Sequence, residues 1–233
     1  MKLLPFAVAC ALTLMIRPAL AADEASPKTE MGRMQMILLS RPTNAQPAKA
    51  DPAVAADQRR AIQSLLQSGK LVFAGTCTDT AALREVLVLK TADTNEARTL
   101  VAGLPAVKSG QQLAETIAWY GPVNLFHPPA ASGAPEPYVF GLLLRGTNAA
   151  QIPREEATKI QEGHMANIRR LAEAKKLVVA GPFIEGGERR GIFLFKVASL
   201  AEAQSLADTD PAVIAGRLRI EVHPMDVPAG LLR

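Results

Sequence analysis

Leu171-Ala172-Glu173-Ala174-Lys175-Lys176-Leu177-Val178-Val179-Ala180-Gly181 lies over Leu65-Leu66-Gln67-Ser68-Gly69-Lys70-Leu71-Val72-Phe73-Ala74-Gly75. The offset holds without a gap from Gln58–Gly110 to His164–Gly216. Pro105-Ala106-Val107 meets Pro211-Ala212-Val213, and Arg84, Lys90, Glu96 and Leu100 meet identical residues at Arg190, Lys196, Glu202 and Leu206. A repeat this long exceeds a short solenoid unit and has the size of a small domain that was duplicated and fused. The mismatches matter as much as the matches. The second copy has His164 and Asp210 where the first has Gln58 and Leu104.

Working outward, each copy reads β-α-β-β-α-β. Met34 to Leu39 is the first strand, and Tyr138 to Leu144 is its counterpart. In the second copy a helix is expected from about Arg154 to Ala174, with Ile160, Ile168 and Leu171 at helical spacing. Strand Leu177–Ala180 is expected to end at the turn signal Gly181-Pro182. The strand Gly191–Val197 is apolar on both faces and therefore central. Ser199 with Glu202 reads as a capping box, and proline at Asp210-Pro211 ends the helix it opens. Leu218-Arg219-Ile220-Glu221-Val222 alternates as a last strand. In the first copy Thr94 is the expected cap.

A βαββαβ unit sets two helices on one face of a four-stranded antiparallel sheet and leaves the other face bare. A small domain does not hold such an apolar face in water. The expected fold is therefore α+β: two ferredoxin-like units, residues 34–122 and 137–226, with their sheets packed face to face as an intrachain pseudo-dimeric α+β barrel. Residues 123–136, rich in proline, form the linker.

Lys2, the apolar run Leu3 to Ile16 and the A-x-A site Ala19-Leu20-Ala21 read as a signal peptide over residues 1–21. Export makes the expected location periplasmic or secreted. Nothing later is long and apolar enough for a membrane-spanning helix. Loss of the leader removes Lys2 and Arg17, and with them half of the formal net charge of +4. No basic cluster with interleaved aromatics remains, which argues against nucleic-acid binding. Of the two cysteines, Cys10 leaves with the leader, and Cys77, aligned with Phe183, reads as a buried hydrophobe.

An inward helical His (His164), a Lys-Leu-Val-Val-Ala-Gly-Pro strand and turn, and an Asp-Pro after the second helix together resemble the YCII-related (YciI-like) family. The resemblance covers residues 138–225 and reaches the first half mainly through the repeat. It implies a dimeric α+β barrel and a His–Asp pair in a pocket between helix and sheet. It also implies that the usual two-chain dimer is replaced by two halves of one chain. Few members have a known reaction; one resembles a dechlorinating enzyme of chlorinated hydroxyquinone breakdown. His164 and Asp210 are the matching residues, and Gln58 and Leu104 depart from the pattern.

The residues themselves leave two readings open. His164 lies on the stripe of Ile160 and Ile168, so a polar ring faces inward, as Gln58 does between Val54 and Ile62. An imidazole beside a carboxylate has a defined tautomer and serves as a general acid or base near neutral pH. On that reading the chain binds a small molecule and performs elimination or isomerisation in its second half. Alternatively the pair is a helix clamp in a non-catalytic binding or structural protein, since Asp before Pro is also a routine turn starter. Arg84 and Arg190 share a repeat position suited to an anionic ligand or to a solvated surface. Asn167 and Arg170 are expected to be exposed. His127 and His223 are scattered, and no spacing suggests a metal site or a cofactor motif.

Overall fold

In β1 (Met31–Ser40) the six residues Met34–Leu39 are all buried, because the strand is covered on both faces. The computed structural model describes residues 29–42, 51–185 and 187–232, so the leader, its cleavage site and Cys10 lie outside the described residues. After β1 the chain runs α1 (Pro52–Gln67), β2 (Leu71–Cys77), β3 (Leu83–Leu89), α2 (Thr94–Ala102), α3 (Pro105–Lys108) and β4 (Leu113–Pro122). The second half repeats this order: β5 (Glu136–Arg145), α4 (Arg154–Glu173), β6 (Leu177–Pro182), β7 (Arg189–Phe195), α5 (Leu200–Ala207), α6 (Pro211–Ile214) and β8 (Leu218–Val227). Strand order is β4-β1-β3-β2 in one half and β8-β5-β7-β6 in the other. The register repeats as well. Leu39 opposes Glu85 and Leu143 opposes Gly191, with a register shift just after each.

The half-sheets join at both edges. β2 pairs with β8 through Thr76–Asp226 and Cys77–Met225. β4 meets the end of β6 through a Trp119–Phe183 bridge, and the Ile184 amide donates to Ala118 O at 2.7 Å. The bare faces meet as expected, as the inside of a nearly closed α+β barrel whose outer edges are joined by the short β2–β8 ladder and the Trp119–Phe183 bridge. Closure removes the unpaired edges that a four-stranded sheet exposes. The seams explain the repeated Ala-Gly dipeptide. A Cβ on Gly75 would lie 2.2 Å from the Met225 sulfur, and one on Gly181 would lie 2.4 Å from Tyr120 O. Both glycines sit where the neighbouring half presses closest.

Met36, Phe73, Val86, Val88 and Trp119 from one half meet Phe140, Val179, Ile192 and Leu194 from the other inside the barrel. The void left among them is only about 10 Å³, room for about one water. The barrel is thus a packed core. Outside it, Val139, Leu143, Phe193 and Phe195 of the second sheet pack on Leu171, Ala203 and Ala207 of α4 and α5.

Two local expectations change. Gly181-Pro182 does not end the strand: Pro182 is still in register opposite Gly191, which an edge position within the half-sheet allows a residue without an amide hydrogen. In the first half Asp93, not Thr94, is the N-cap. Its carboxylate accepts from the amides of Asn95 at 2.7 Å and Glu96 at 3.3 Å, and Thr94 becomes the first helical residue. Ser199 does cap α5, accepting from the Glu202 amide at 3.1 Å.

Since each half supplies half of the barrel interior, residues 137–233 expressed alone are expected to form a homodimer or to aggregate. Sedimentation of that fragment checks it; a stable, well-folded monomer would contradict it. Trp119, fully buried at the β4–β6 seam, should be costly to truncate. Trp119→Ala is expected to lower unfolding free energy by about 3–5 kcal/mol in urea melts.

Candidate functional site

His164 occupies the middle of α4, where helical spacing turns it toward the sheet with Ile160 and Ile168. Its ring stacks on Phe193 of β7, with centroids 5.9 Å apart and planes 17° from parallel. Nδ1 lies 2.9 Å from Asp210 Oδ1 and 2.8 Å from Oδ2. Nε2 has no partner among the described residues, yet it is not one of the sealed, unpartnered polar atoms. The structure therefore brings together the two residues that the sequence singled out. It engages one ring nitrogen and leaves the other accessible.

Asp210 is fully buried, and its position follows from local sequence. Asp before Pro caps the short helix α6, and Oδ1 accepts from the Ala212 amide at 2.8 Å. Oδ2 also accepts from Asn167 Nδ2 at 3.2 Å. A buried carboxylate is tolerable only when its oxygens are satisfied in this way. Asn167, one helical turn after His164, is in turn held by Arg170 Nη2, which donates to its Oδ1 at 2.7 Å and to Thr209 Oγ1 at 2.9 Å. Asn167 corrects the expectation of exposure: it is buried, because the α6 turn covers that side of α4. Its helical spacing from His164 was the available signal, outweighed by its polarity.

Beside the ring opens a cavity of about 640 Å³ between α4 and the second sheet. Leu143, Ile168, Phe193 and Leu218 give it apolar walls; Gln161, Arg145, Arg190 and Arg217 supply polar groups. Met31 reaches the rim from the first half. The volume and lining fall in the range usual for small-molecule sites.

In the first half the equivalent place is occupied by described side chains, residue by residue. Gln58 takes the place of His164, and its Oε1 accepts from the Ala106 amide at 3.1 Å, which stands in for the Asp210 cap. Leu104, in the place of Asp210, is buried. Glu85 stands where the second half has Gly191. Its carboxylate accepts from Gln58 Nε2 at 2.9 Å and from Gln112 Nε2 at 3.4 Å. One half has filled the space with its own side chains, and the other has left it open.

The remaining candidates divide. Arg190 lines the cavity, whereas Arg84 is tied by its guanidinium to Asp79 O at 2.6 Å. His127 stays in the linker, where its amide bonds Leu231 O. His223 is more engaged than its place in the sequence suggested: Nδ1 lies 2.8 Å from Asp79 Oδ2, a contact between the two halves. Among the described residues no group of three or more His, Cys, Asp or Glu comes together, and no helix is long and apolar enough to cross a membrane. Cys77 is fully buried, and its thiol is pushed up to about 12, first by burial and then by the nearby Asp79 carboxylate. It stays a neutral thiol at physiological pH.

Residues 139–226 match the YCII-related domain. No curated protein matches the chain. Solved structures match its fold along most of its length. A mutant chlorite dismutase from Candidatus Nitrospira defluvii is similar at 10% identity and a TM-score of 0.54, covering 84% of this chain and 92% of that one. The same organism's chlorite dismutase in complex with imidazole gives 9% identity, a TM-score of 0.52 and coverage of 88% and 93%. A heme-binding protein from Thermus thermophilus gives 12% identity, a TM-score of 0.48 and coverage of 86% and 93%. For the two chlorite dismutase structures the likeness is one of fold.

Two outcomes are expected. Asp210→Ala removes the partner of His164, of Asn167 and of the Ala212 amide together. It should lower stability by about 1–3 kcal/mol in chemical denaturation, and an unchanged midpoint would contradict the geometry. Cys77 should resist a thiol reagent at pH 8 in the native protein and react at once after unfolding.

Proposed function

We propose, for a chain whose residues 139–226 are a YCII-related domain, that the α4–sheet cleft of the second half holds a small molecule and that His164 moves a proton on it. Asp210 on Nδ1 keeps the ring in one tautomer and orientation and stabilises the imidazolium that forms when Nε2 takes a proton. Nε2 would remove a proton from a carbon of the ligand. The proton then returns at another atom, giving isomerisation, or its removal accompanies departure of a leaving group, giving elimination. The observation that carries this reading is the position of the ring. It lines an open cavity of about 640 Å³ while its far nitrogen is fixed by a buried carboxylate. Asn167 and Arg170 extend the support by holding Asp210 in place.

A second reading has its own observation. The same contacts tie α4 to α6 and the Thr209 turn, so the pair also acts as a clamp, and the first half makes an equivalent tie through Gln58 without a histidine. His164→Gln separates the two. It imports the first half's own residue, so stability should change by less than about 1–2 kcal/mol. Turnover should be lost, because glutamine does not exchange a proton near neutral pH. Retained turnover with a large stability loss would favour the clamp.

The leader over residues 1–21 supports export to the periplasm or beyond, with the mature chain starting at Ala22. N-terminal sequencing of the exported protein is expected to give Ala-Asp-Glu-Ala. An intact Met1 would overturn the assignment.

A further inference from the structure

Glu85 and Gly191 occupy equivalent places in the two half-sheets, opposite Leu39 and Leu143. In the first half the Glu85 carboxylate lies between Gln58 and Gln112. Their counterparts are His164 and Leu218, both of which line the open cavity. The chain thus carries, in its closed half, an internal carboxylate in front of the residue that corresponds to His164. The open half does not refill that place. A Cβ on Gly191 would lie 2.5 Å from Gly181 O, a backbone atom.

The charges around the open cavity agree. Arg145, Arg190 and Arg217 line it, and among the described residues no aspartate or glutamate does. Arg145 and Arg190 have no ion-pair partner among the described residues, although Arg189 next door pairs with Glu115 at 2.6 Å. Arg217 donates to a neutral acceptor, Ala157 O, at 2.7 Å, which leaves its charge uncompensated. Three guanidinium groups without a carboxylate, around a low-dielectric pocket, create a positive potential that favours an anion. The opposite wall, with Leu143, Ile168 and Phe193, is apolar.

From these two independent observations we infer that the second-half cavity selects a small organic acid. Its carboxylate takes the place that Glu85 fills in the first half, and its apolar body lies against Phe193 and Ile168. The inference rests on the proposed ligand site and names its ligand class. The carboxylate is held by Arg190 and Arg217, with Arg145 at the rim.

The test uses phenylacetate, its neutral isostere phenylacetamide and the full mature chain, with affinity read by calorimetry at low ionic strength. Phenylacetate is expected to bind at least about tenfold more tightly than the amide, and added salt should narrow the gap. In Arg145→Gln/Arg190→Gln, whose side chains make no hydrogen bond or ion pair among the described residues, phenylacetate affinity should fall at least about tenfold while amide affinity stays put. His164→Gln should retain the preference for acid over amide, so a failed proton-transfer reading and a failed ligand class give different results. Equal affinity for acid and amide, unchanged acid binding in the double variant, or no binding of phenylacetate at about 10 mM would each overturn the inference.

Discussion

Closure of the barrel is the constraint on which the rest depends. A four-stranded βαββαβ sheet has one uncovered apolar face and two unpaired edges, and either one alone invites association. Here both are resolved within one chain. The faces interdigitate through Trp119, Phe140 and Ile192, and the edges join at β2–β8 and β4–β6. With the barrel interior packed to a void of about 10 Å³, no ligand space remains there. The cavity with room for a ligand lies outside the barrel, between helix and sheet of the second half.

The two halves differ in how they fill the space between helix and sheet under that constraint. The closed half joins its inward polar groups to one another, through Gln58, Glu85, Gln112 and the Ala106 amide. The open half concentrates its satisfaction on one carboxylate, Asp210, and directs it to one ring nitrogen. The closed arrangement keeps one buried acceptor, Gln112 Oε1, without a partner, whereas the open one pairs Asp210 fully and leaves a ring nitrogen of His164 facing the cavity. The closed half acts as scaffold: it supplies half of the barrel and one rim residue, Met31.

Much of the fold was legible because the repeat could be read twice. Ambiguous segments in one copy were resolved by the other, and the continuous apolar runs of β1, β5 and β7 marked strands covered on both faces. What failed was local and has physical causes. Thr94 and Asp93 are adjacent cap formers, and only backbone geometry tells which one opens α2. Gly181-Pro182 looked like a turn, because the seam that demands a glycine and tolerates a proline exists only once the halves meet. In the site, His164 and Asp210 stood out as differences between copies, whereas Asn167 did not, since its burial depends on the α6 turn folding over α4. The third difference, Gly191 for Glu85, was equally visible in sequence. It acquired meaning only when Glu85 proved to be bonded to Gln58.

The central claim is that two equivalent places in one pseudo-symmetric molecule differ, one filled by the chain and one open. Methyl-resolved NMR during titration with phenylacetate tests this most directly, because Leu39 and Ile62 in the first half mirror Leu143 and Ile168 in the second. The account predicts saturable shifts at Leu143 and Ile168 with Leu39 and Ile62 unmoved. Parallel shifts in both pairs, or shifts confined to the first half, would contradict it.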